Sequence, residues 1–136
     1  YRNDMEGGQT NEFRPLILVA EDDHSNFKLI KAIIGKKCDI QWAKNGEEIV
    51  ALFKEYGKEA KAILMDIKMP VMNGLDATKI IREENKEIPI IMQTAYAFSS
   101  DKENAMNAGA SEVLVKPITL SILRGTLTKY FPELVW

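Results

Sequence analysis

Short apolar runs alternate with longer amphipathic stretches along this chain. The first run, Leu16-Ile17-Leu18-Val19-Ala20, is continuous and rich in branched residues. That length and composition predict a strand buried on both faces. It stops abruptly at Glu21-Asp22-Asp23. Phe27, Ile30, Ile33 and Ile34 then recur at helical spacing, with Gly35 near the helix end. Asp39 to Ala43 is a weaker strand. Asn45 and Glu48 have the spacing of a helix capping box. Ile49, Leu52, Phe53 and Tyr56 follow at i, i+3, i+4 and i+7, the stripe of a core-facing helix. Ala62-Ile63-Leu64-Met65 is the third apolar run, ended by Asp66. Lys68 to Gly74 reads as a loop and Leu75 to Glu84 as a helix. Pro89 opens a fourth strand, Ile90 to Gln93, at a position where strands tolerate proline. Ser100 and Glu103 form a second capping box, for a short helix ending near Gly109. Val113-Leu114-Val115 is the fifth strand, closed by Lys116-Pro117. Leu120, Leu123, Leu127 and Tyr130 make the stripe of a last helix.

Five strands alternating with helices predict a parallel sheet covered on both faces, with right-handed crossovers. No internal repeat or low-complexity segment interrupts the pattern. The 136 residues suit one domain, long enough to bury about two-thirds of its unfolded surface without a disulfide or metal staple. Eighteen basic against twenty acidic residues give a net charge of −2, which argues against a nucleic-acid module. No apolar run approaches the roughly 18 residues of a membrane span. Cys38 is the single cysteine, so no intrachain disulfide forms, and a reducing cytoplasm is the natural expectation. The polar start YRNDMEGGQT is unlike a signal peptide. Residues 1–15, with the Gly7-Gly8 pair, read as a linker, 16–131 as the folded domain and 132–136 as a tail.

In an open parallel sheet, ligands bind beyond the carboxyl ends of the strands. Glu21 and Asp22 follow the first strand, Asp66 the third, Thr94 the fourth and Lys116 the fifth. The second strand contributes nothing obvious, as suits a marginal strand. If the first and third strands are neighbours, three carboxylates converge, and a proton or a cation relieves their repulsion. A hard divalent cation such as Mg²⁺ takes one or two protein carboxylates and bridges to phosphate. Asp23 reads instead as a helix N-cap. A carboxylate beside such a metal can attack a phosphoryl group and form an acyl phosphate. The transferring group spreads charge over three oxygens; the metal, Lys116 and Thr94 could each cover one. His24 reads as a surface residue and Cys38 as a partly buried thiol. Met65, Met69, Met72, Met92 and Met106 read as packing and loop residues.

The residues Ile17-Leu18-Val19-Ala20-Glu21-Asp22, Leu64 to Gly74 (LMDIKMPVMNG), Gln93-Thr94-Ala95 and Val115-Lys116-Pro117 carry a resemblance. With four motifs in this order, the chain resembles the receiver domains of two-component response regulators over about residues 16 to 131. The resemblance implies a doubly wound, flavodoxin-like α/β fold with a five-stranded parallel sheet in the order 2-1-3-4-5. It implies Asp66 as the phosphoacceptor. Glu21 and Asp22 match the acidic pair, Asp22 being the more direct metal ligand, and Lys68 matches the position whose backbone carbonyl binds the metal. Thr94 matches the switch hydroxyl. Lys116 matches the family lysine, with a cis peptide expected at Lys116-Pro117, an uncommon conformation. One position departs from the pattern. Val113 stands where the family often has a rotating aromatic. Tyr96 is the nearby aromatic, read either as shielding the site or as an exposed loop tyrosine.

The resemblance also implies partners. Asp66 would accept phosphate from a phosphohistidine on a histidine kinase or a histidine phosphotransfer domain. Phosphorylation would bias the surface of the fourth helix, fifth strand and fifth helix, where a homodimer would also form. No nucleic-acid or direct membrane contact is expected of this chain. It would be no enzyme beyond promoting its own Mg²⁺-dependent phosphorylation and dephosphorylation. After Phe131 too little chain remains for an output domain. Two readings stand: a single-domain regulator, or a receiver cut from a longer chain. The polar stretch before residue 15 favours the cytoplasmic part of a membrane-anchored hybrid histidine kinase. A haloacid-dehalogenase-like phosphatase would need an aspartate where Lys68 stands. An FMN binder would need a small-residue phosphate loop where Glu21-Asp22-Asp23 stands, and those charges would repel phosphate. A non-phosphorylated interaction module on the same fold is opposed by the intact acceptor, acidic pair, hydroxyl and lysine.

Overall fold

Successive residues of a strand point to opposite faces of its sheet, and β1 (Leu16–Ala20) buries both sets. Ile17 and Val19 join one core cluster, Leu18 and Ala20 the other. A strand apolar on both sides needs cover on both sides. In the computed structural model, which describes residues 13–96 and 100–136, helices supply it. The chain continues as α1 (His24–Ile34), β2 (Asp39–Ala43), α2 (Gly46–Tyr56), β3 (Ala60–Asp66), α3 (Gly74–Glu84), β4 (Ile90–Thr94), α4 (Ser100–Ala108), β5 (Glu112–Val115) and α5 (Leu120–Tyr130). The sheet runs β2-β1-β3-β4-β5 with every pair parallel, the order that the resemblance implied.

On one face, Ile30, Ile33 and Ile34 of α1 and Leu123 and Leu127 of α5 pack on Ile17, Val19, Ala62, Leu64 and Ile91. On the other, Ile49 and Phe53 of α2, Ala77 and Ile81 of α3 and Ala105 of α4 pack on Leu18, Ala20, Ile63, Met65, Ile90 and Met92. Ile63, Leu64 and Met65 in mid-β3 are fully buried, each contributing about 1.5–3 kcal/mol relative to exposure. This central strand therefore anchors whatever stands at its carboxyl end.

The helix starts follow from their caps. Asp23 Oδ1 accepts from the Ser25 and Asn26 amides at 2.8 and 3.2 Å, so Asp23 is the N-cap of α1. Asn45 caps α2 by accepting from the Glu48 amide at 2.8 Å, while the Glu48 carboxylate reaches one residue further back than in the usual box, to the Lys44 amide. Asn73 and Thr119 cap α3 and α5. The box expected at Ser100 has a different register. Ser100 is already the first residue of α4, and the residue before it lies outside those described. Three strands run longer than the apolar pattern predicts, because ladder pairing extends to Ala60, Asp66, Thr94 and Glu112. Leu120 is half exposed; α5 buries Leu123, Thr126 and Leu127 instead. Cys38 is fully rather than partly buried, and that burial pushes its thiol up to about 11. The Lys116–Pro117 peptide is cis.

Of the stretch 1–15, residues 1–12 lie outside the described part, whereas Arg14 donates to the Lys36 carbonyl at 2.6 Å and pairs with Asp39 at 3.1 Å. At the other end Leu134 is buried, and Trp136 Nε1 donates to Thr128 Oγ1 at 2.9 Å.

Val71, in the loop between β3 and α3, has φ 70° and is 72% exposed. A β-branched residue in the left-handed region is strained by about 1–2 kcal/mol. Glycine removes that strain but adds about 0.5–1 kcal/mol of chain entropy to the unfolded state. The exposed side chain has little burial to lose, so Val71→Gly should stabilise the fold by about 0.5–1 kcal/mol. A thermal melt checks this, and a lowered midpoint would contradict it.

Candidate functional site

Parallel pairing of β1 with β3 sets Ala20 beside Met65. The next residues, Glu21 and Asp66, therefore leave the sheet side by side. One carboxylate oxygen from each of Glu21, Asp22 and Asp66 lies within 4.8 Å of the others. Glu21 and Asp66 are buried at the strand ends, and Asp22 is exposed at the mouth. Lys116 follows β5, where its amide donates to the Thr94 carbonyl at 2.8 Å. From there its side chain reaches across β4. Nζ lies 3.0 Å from Asp66 Oδ2 and 3.8 Å from Glu21 Oε1.

Glu21 is the strained member of this group. Oε2 accepts from the Asp23 amide at 3.2 Å, but Oε1 is completely buried without a hydrogen-bond partner. Burial and then the charge of Asp66 push its carboxyl up to about 7, against the Asp23 amide and Lys116, which pull it down. A buried polar atom left without a partner costs about 1–3 kcal/mol, more when charged. Oxygen-only donors with one orphaned buried oxygen fit a hard divalent cation.

The remaining predicted residues take different places. Thr94 is buried, and its hydroxyl donates to Asp101 Oδ2 in the first turn of α4 at 3.2 Å while accepting from the Tyr96 amide at 3.1 Å. It is therefore engaged with α4 rather than with the acidic group. Lys68 Nζ sits 5.0 Å from the centroid of the Tyr96 ring, and Tyr96 is 54% exposed. Gly74 closes the intervening loop tightly: a Cβ there would come within 2.2 Å of the Asp66 carbonyl. Val113 pairs with Met92 and packs against the core. His24 is exposed, as expected, and Met65 and Met92 are core residues. Beside Lys116, an apolar groove of about 300 Å³ runs between α1 and the loop after β5, lined by Leu29, Ile30, Ala95, Pro117 and Ile118 among others.

Two contributors escape a reading by sequence. Asp101 is an acidic residue in a helix first turn, where acids are common for the dipole alone. Trp42 lies on β2, the strand expected to contribute nothing, yet its indole Nε1 donates to the Glu21 carbonyl at 2.8 Å. The available signal was an indole on an edge strand, since a half-buried tryptophan N–H usually finds a partner.

A three-layer α/β fold with acidic groups and a lysine gathered at one sheet edge defines a class of protein, and comparison narrows it. Residues 17–128 match the model of the response regulator receiver domain. The chain is 41% identical over 129 residues to hybrid signal transduction histidine kinase I of Dictyostelium discoideum, an alignment covering 86% of this chain and 7% of that protein. It is 38% identical over 104 residues to the autoinducer 2 sensor kinase/phosphatase LuxQ of Vibrio vulnificus, covering 75% and 12%. The chain thus spans only a small part of these relatives. Among solved structures, the receiver domain of sensor histidine kinase PA1611 from Pseudomonas aeruginosa, with magnesium in its active-site cleft, superposes with a TM-score of 0.81 at 30% identity, covering 88% of this chain and 99% of that one. The Saccharomyces cerevisiae Ssk1 receiver domain, crystallised with the histidine phosphotransfer protein Ypd1, gives 0.80 at 28% identity, covering 90% and 93%. The chain belongs to the response regulator receiver domain family.

Glu21→Gln removes a buried charge while leaving the 3.0 Å Lys116–Asp66 pair in place. In the metal-free protein, Glu21 with a folded pKa of about 7 and an unfolded one of about 4.3 holds its proton more tightly when folded. Its contribution to stability is therefore present below about pH 4.3 and lost as pH rises through about 7. In chelator at pH 8, Glu21→Gln should melt higher than the native chain, by about 1 kcal/mol or more, with the difference shrinking at pH 5. Its Mg²⁺ affinity should fall by about 10- to 100-fold. Equal melts at both pH values would refute the strain at Glu21.

Proposed function

We propose that this chain is a phosphoacceptor. Asp66 takes a phosphoryl group from a phosphohistidine on a histidine kinase or histidine phosphotransfer domain, within two-component phosphorelay signalling. The observation that carries the proposal is the Lys116 ammonium 3.0 Å from the buried Asp66 carboxylate, with Glu21 and Asp22 beside it. A carboxylate oxygen of Asp66 attacks phosphorus, the P–N bond to the imidazole breaks, and its electron pair stays on the departing ring nitrogen. Lys116 neutralises charge on the receiving side. Glu21, Asp22 and Asp66, with the Lys68 backbone carbonyl, would hold a magnesium ion. Bound there, it would supply positive charge against the oxygens of the transferring group. Thr94 would exchange Asp101 for a phosphoryl oxygen, which carries the change into α4 and biases the face of α4, β5 and α5, where a homodimer would form.

The groove between α1 and the loop after β5 opens beside Lys116 and suits an apolar face of the phosphodonor. The Ssk1 receiver domain crystallised with Ypd1 supports a partner of that kind. The hybrid kinases among its relatives, of which the chain covers a small part, support a place in a longer chain; the form proposed is a membrane-anchored kinase whose receiver faces the cytoplasm. No helix among the described residues is long and apolar enough to cross a membrane.

Incubation with acetyl phosphate and Mg²⁺, followed by intact mass, tests the reaction. One added phosphoryl group is expected, dependent on metal and absent from Asp66→Ala. An adduct that survives Asp66→Ala would place the acceptor elsewhere. Tyr96 in turn is proposed to screen the acyl phosphate from water, held in place by Lys68. Tyr96→Ala should shorten the life of the phosphorylated protein several-fold, measured by loss of the mass adduct after desalting. An unchanged lifetime would make Tyr96 an ordinary loop residue.

A further inference from the structure

The backbone of Glu21 is held on both sides by the edge strand. Its amide donates to the Ala43 carbonyl at 2.9 Å, and its carbonyl accepts from Trp42 Nε1 at 2.8 Å. That carbonyl belongs to the planar peptide joining Glu21 to Asp22. Fixing its direction therefore fixes how the Asp22 backbone leaves the strand. The indole itself is immobilised. Phe27 stacks on it at 4.1 Å with an interplanar angle of 1°, His24 at 5.4 Å and 24°, and Lys44 Nζ lies 5.2 Å from the ring. His24 and Phe27 belong to the first turns of α1, directly after the acidic turn. One side chain thus ties the strand end before Glu21-Asp22 to the helix start after it.

We propose that Trp42 is a positioning residue for the cation site, acting through its indole N–H on the Glu21 carbonyl; the inference rests on the phosphoacceptor reading of that site. Stacking alone would cover the edge of the sheet, and a phenyl ring could do that. The hydrogen bond adds a constraint on the one peptide whose orientation aims the acidic pair. Its removal frees this peptide to rotate and weakens the convergence of Glu21 and Asp22 on Asp66. Second-shell partners of metal ligands typically change affinity by about 10- to 100-fold. Acting one bond further out, Trp42 belongs at the lower end of that range.

Two variants separate positioning from packing. Trp42→Phe keeps an aromatic ring against Phe27 and lacks the N–H. Incorporation of 3-benzothienylalanine at position 42 keeps the indole shape and replaces the N–H by sulfur. Each is titrated with MgCl₂ by calorimetry beside the native chain, and the metal-free melting midpoint is recorded. Both variants should bind Mg²⁺ about tenfold more weakly, the benzothienyl variant with little change in midpoint. If the native chain binds Mg²⁺ and the benzothienyl variant binds it equally well, Trp42 only packs and the proposal is wrong. A native chain that takes up no Mg²⁺ removes the reading of the site, and the proposal with it.

Discussion

Two buried carboxylates, Glu21 and Asp66, face one another at the carboxyl edge of the sheet, and a single ammonium group, that of Lys116, lies against both. Left to themselves, like charges out of water would protonate or move apart. They do not move apart because the positions are set by the fold, and the strain appears instead as the raised carboxyl of Glu21. Glu21 follows a strand buried on both faces, and Asp66 ends the central strand, whose middle residues are fully buried. Moving either carboxylate away means unpacking β1 or β3. The apolar core thus holds an electrostatically unfavourable group of residues in place, and the stability of the sheet exceeds the local strain.

The same comparison of packing shows where movement costs least. α1 buries three isoleucines, while α4 buries only Ala105 and Ala108. Small side chains give little apolar area, so displacing α4 costs far less than displacing α1. The Thr94 hydroxyl bonds the first turn of this weakly held helix to the end of β4, adjacent to β3 and its Asp66. A residue recruited to a phosphoryl oxygen from that position would give up its contact with α4 on the way. In the proposed switch, the least-anchored helix is the one bonded to the hydroxyl that has to move.

The strands and their order of appearance are legible in the sequence because burial on both faces leaves continuous apolar runs, as in Leu16–Ala20 and Ala62–Met65. Their ends are less legible, since Asp66 and Thr94 complete the ladder through backbone bonds that take no account of side-chain polarity. The spatial order of the strands came from family resemblance; alternation alone does not specify it. Glu21, Asp22, Asp66 and Lys116 could be grouped because polar residues directly after parallel strands share one edge. Trp42 and Asp101 could not. Trp42 acts on a backbone carbonyl, a partner every residue carries and no side-chain motif marks. Asp101 meets Thr94 across a loop whose path the pattern does not fix. Leu120 misleads in another way: helical spacing includes it, but the helix turns it outward, and Thr126 takes the buried place.

Charge accounts for why the edge strand matters to the chemistry. With all three carboxylates ionised, one lysine leaves two negative charges at the site, the charge that one divalent cation cancels. The cancellation depends on distance, because at contact range a shift of an ångström or so changes the interaction of a carboxylate with a doubly charged ion by several kcal/mol at the low effective dielectric of a buried site. Asp22 is the exposed member, and the direction of its backbone is inherited from the Glu21–Asp22 peptide. Phosphorylation of Asp66 would turn a buried carboxylate into an acyl phosphate and move its negative charge outward onto the phosphoryl oxygens. Lys116 and the cation would then have to follow charge that has moved away from the strand ends. A turn held rigidly on the β2 side leaves that adjustment to Lys116 and Thr94, the two groups on the β4–β5 side. The asymmetry of the site, fixed on one side and adaptable on the other, follows from which strands hold its members.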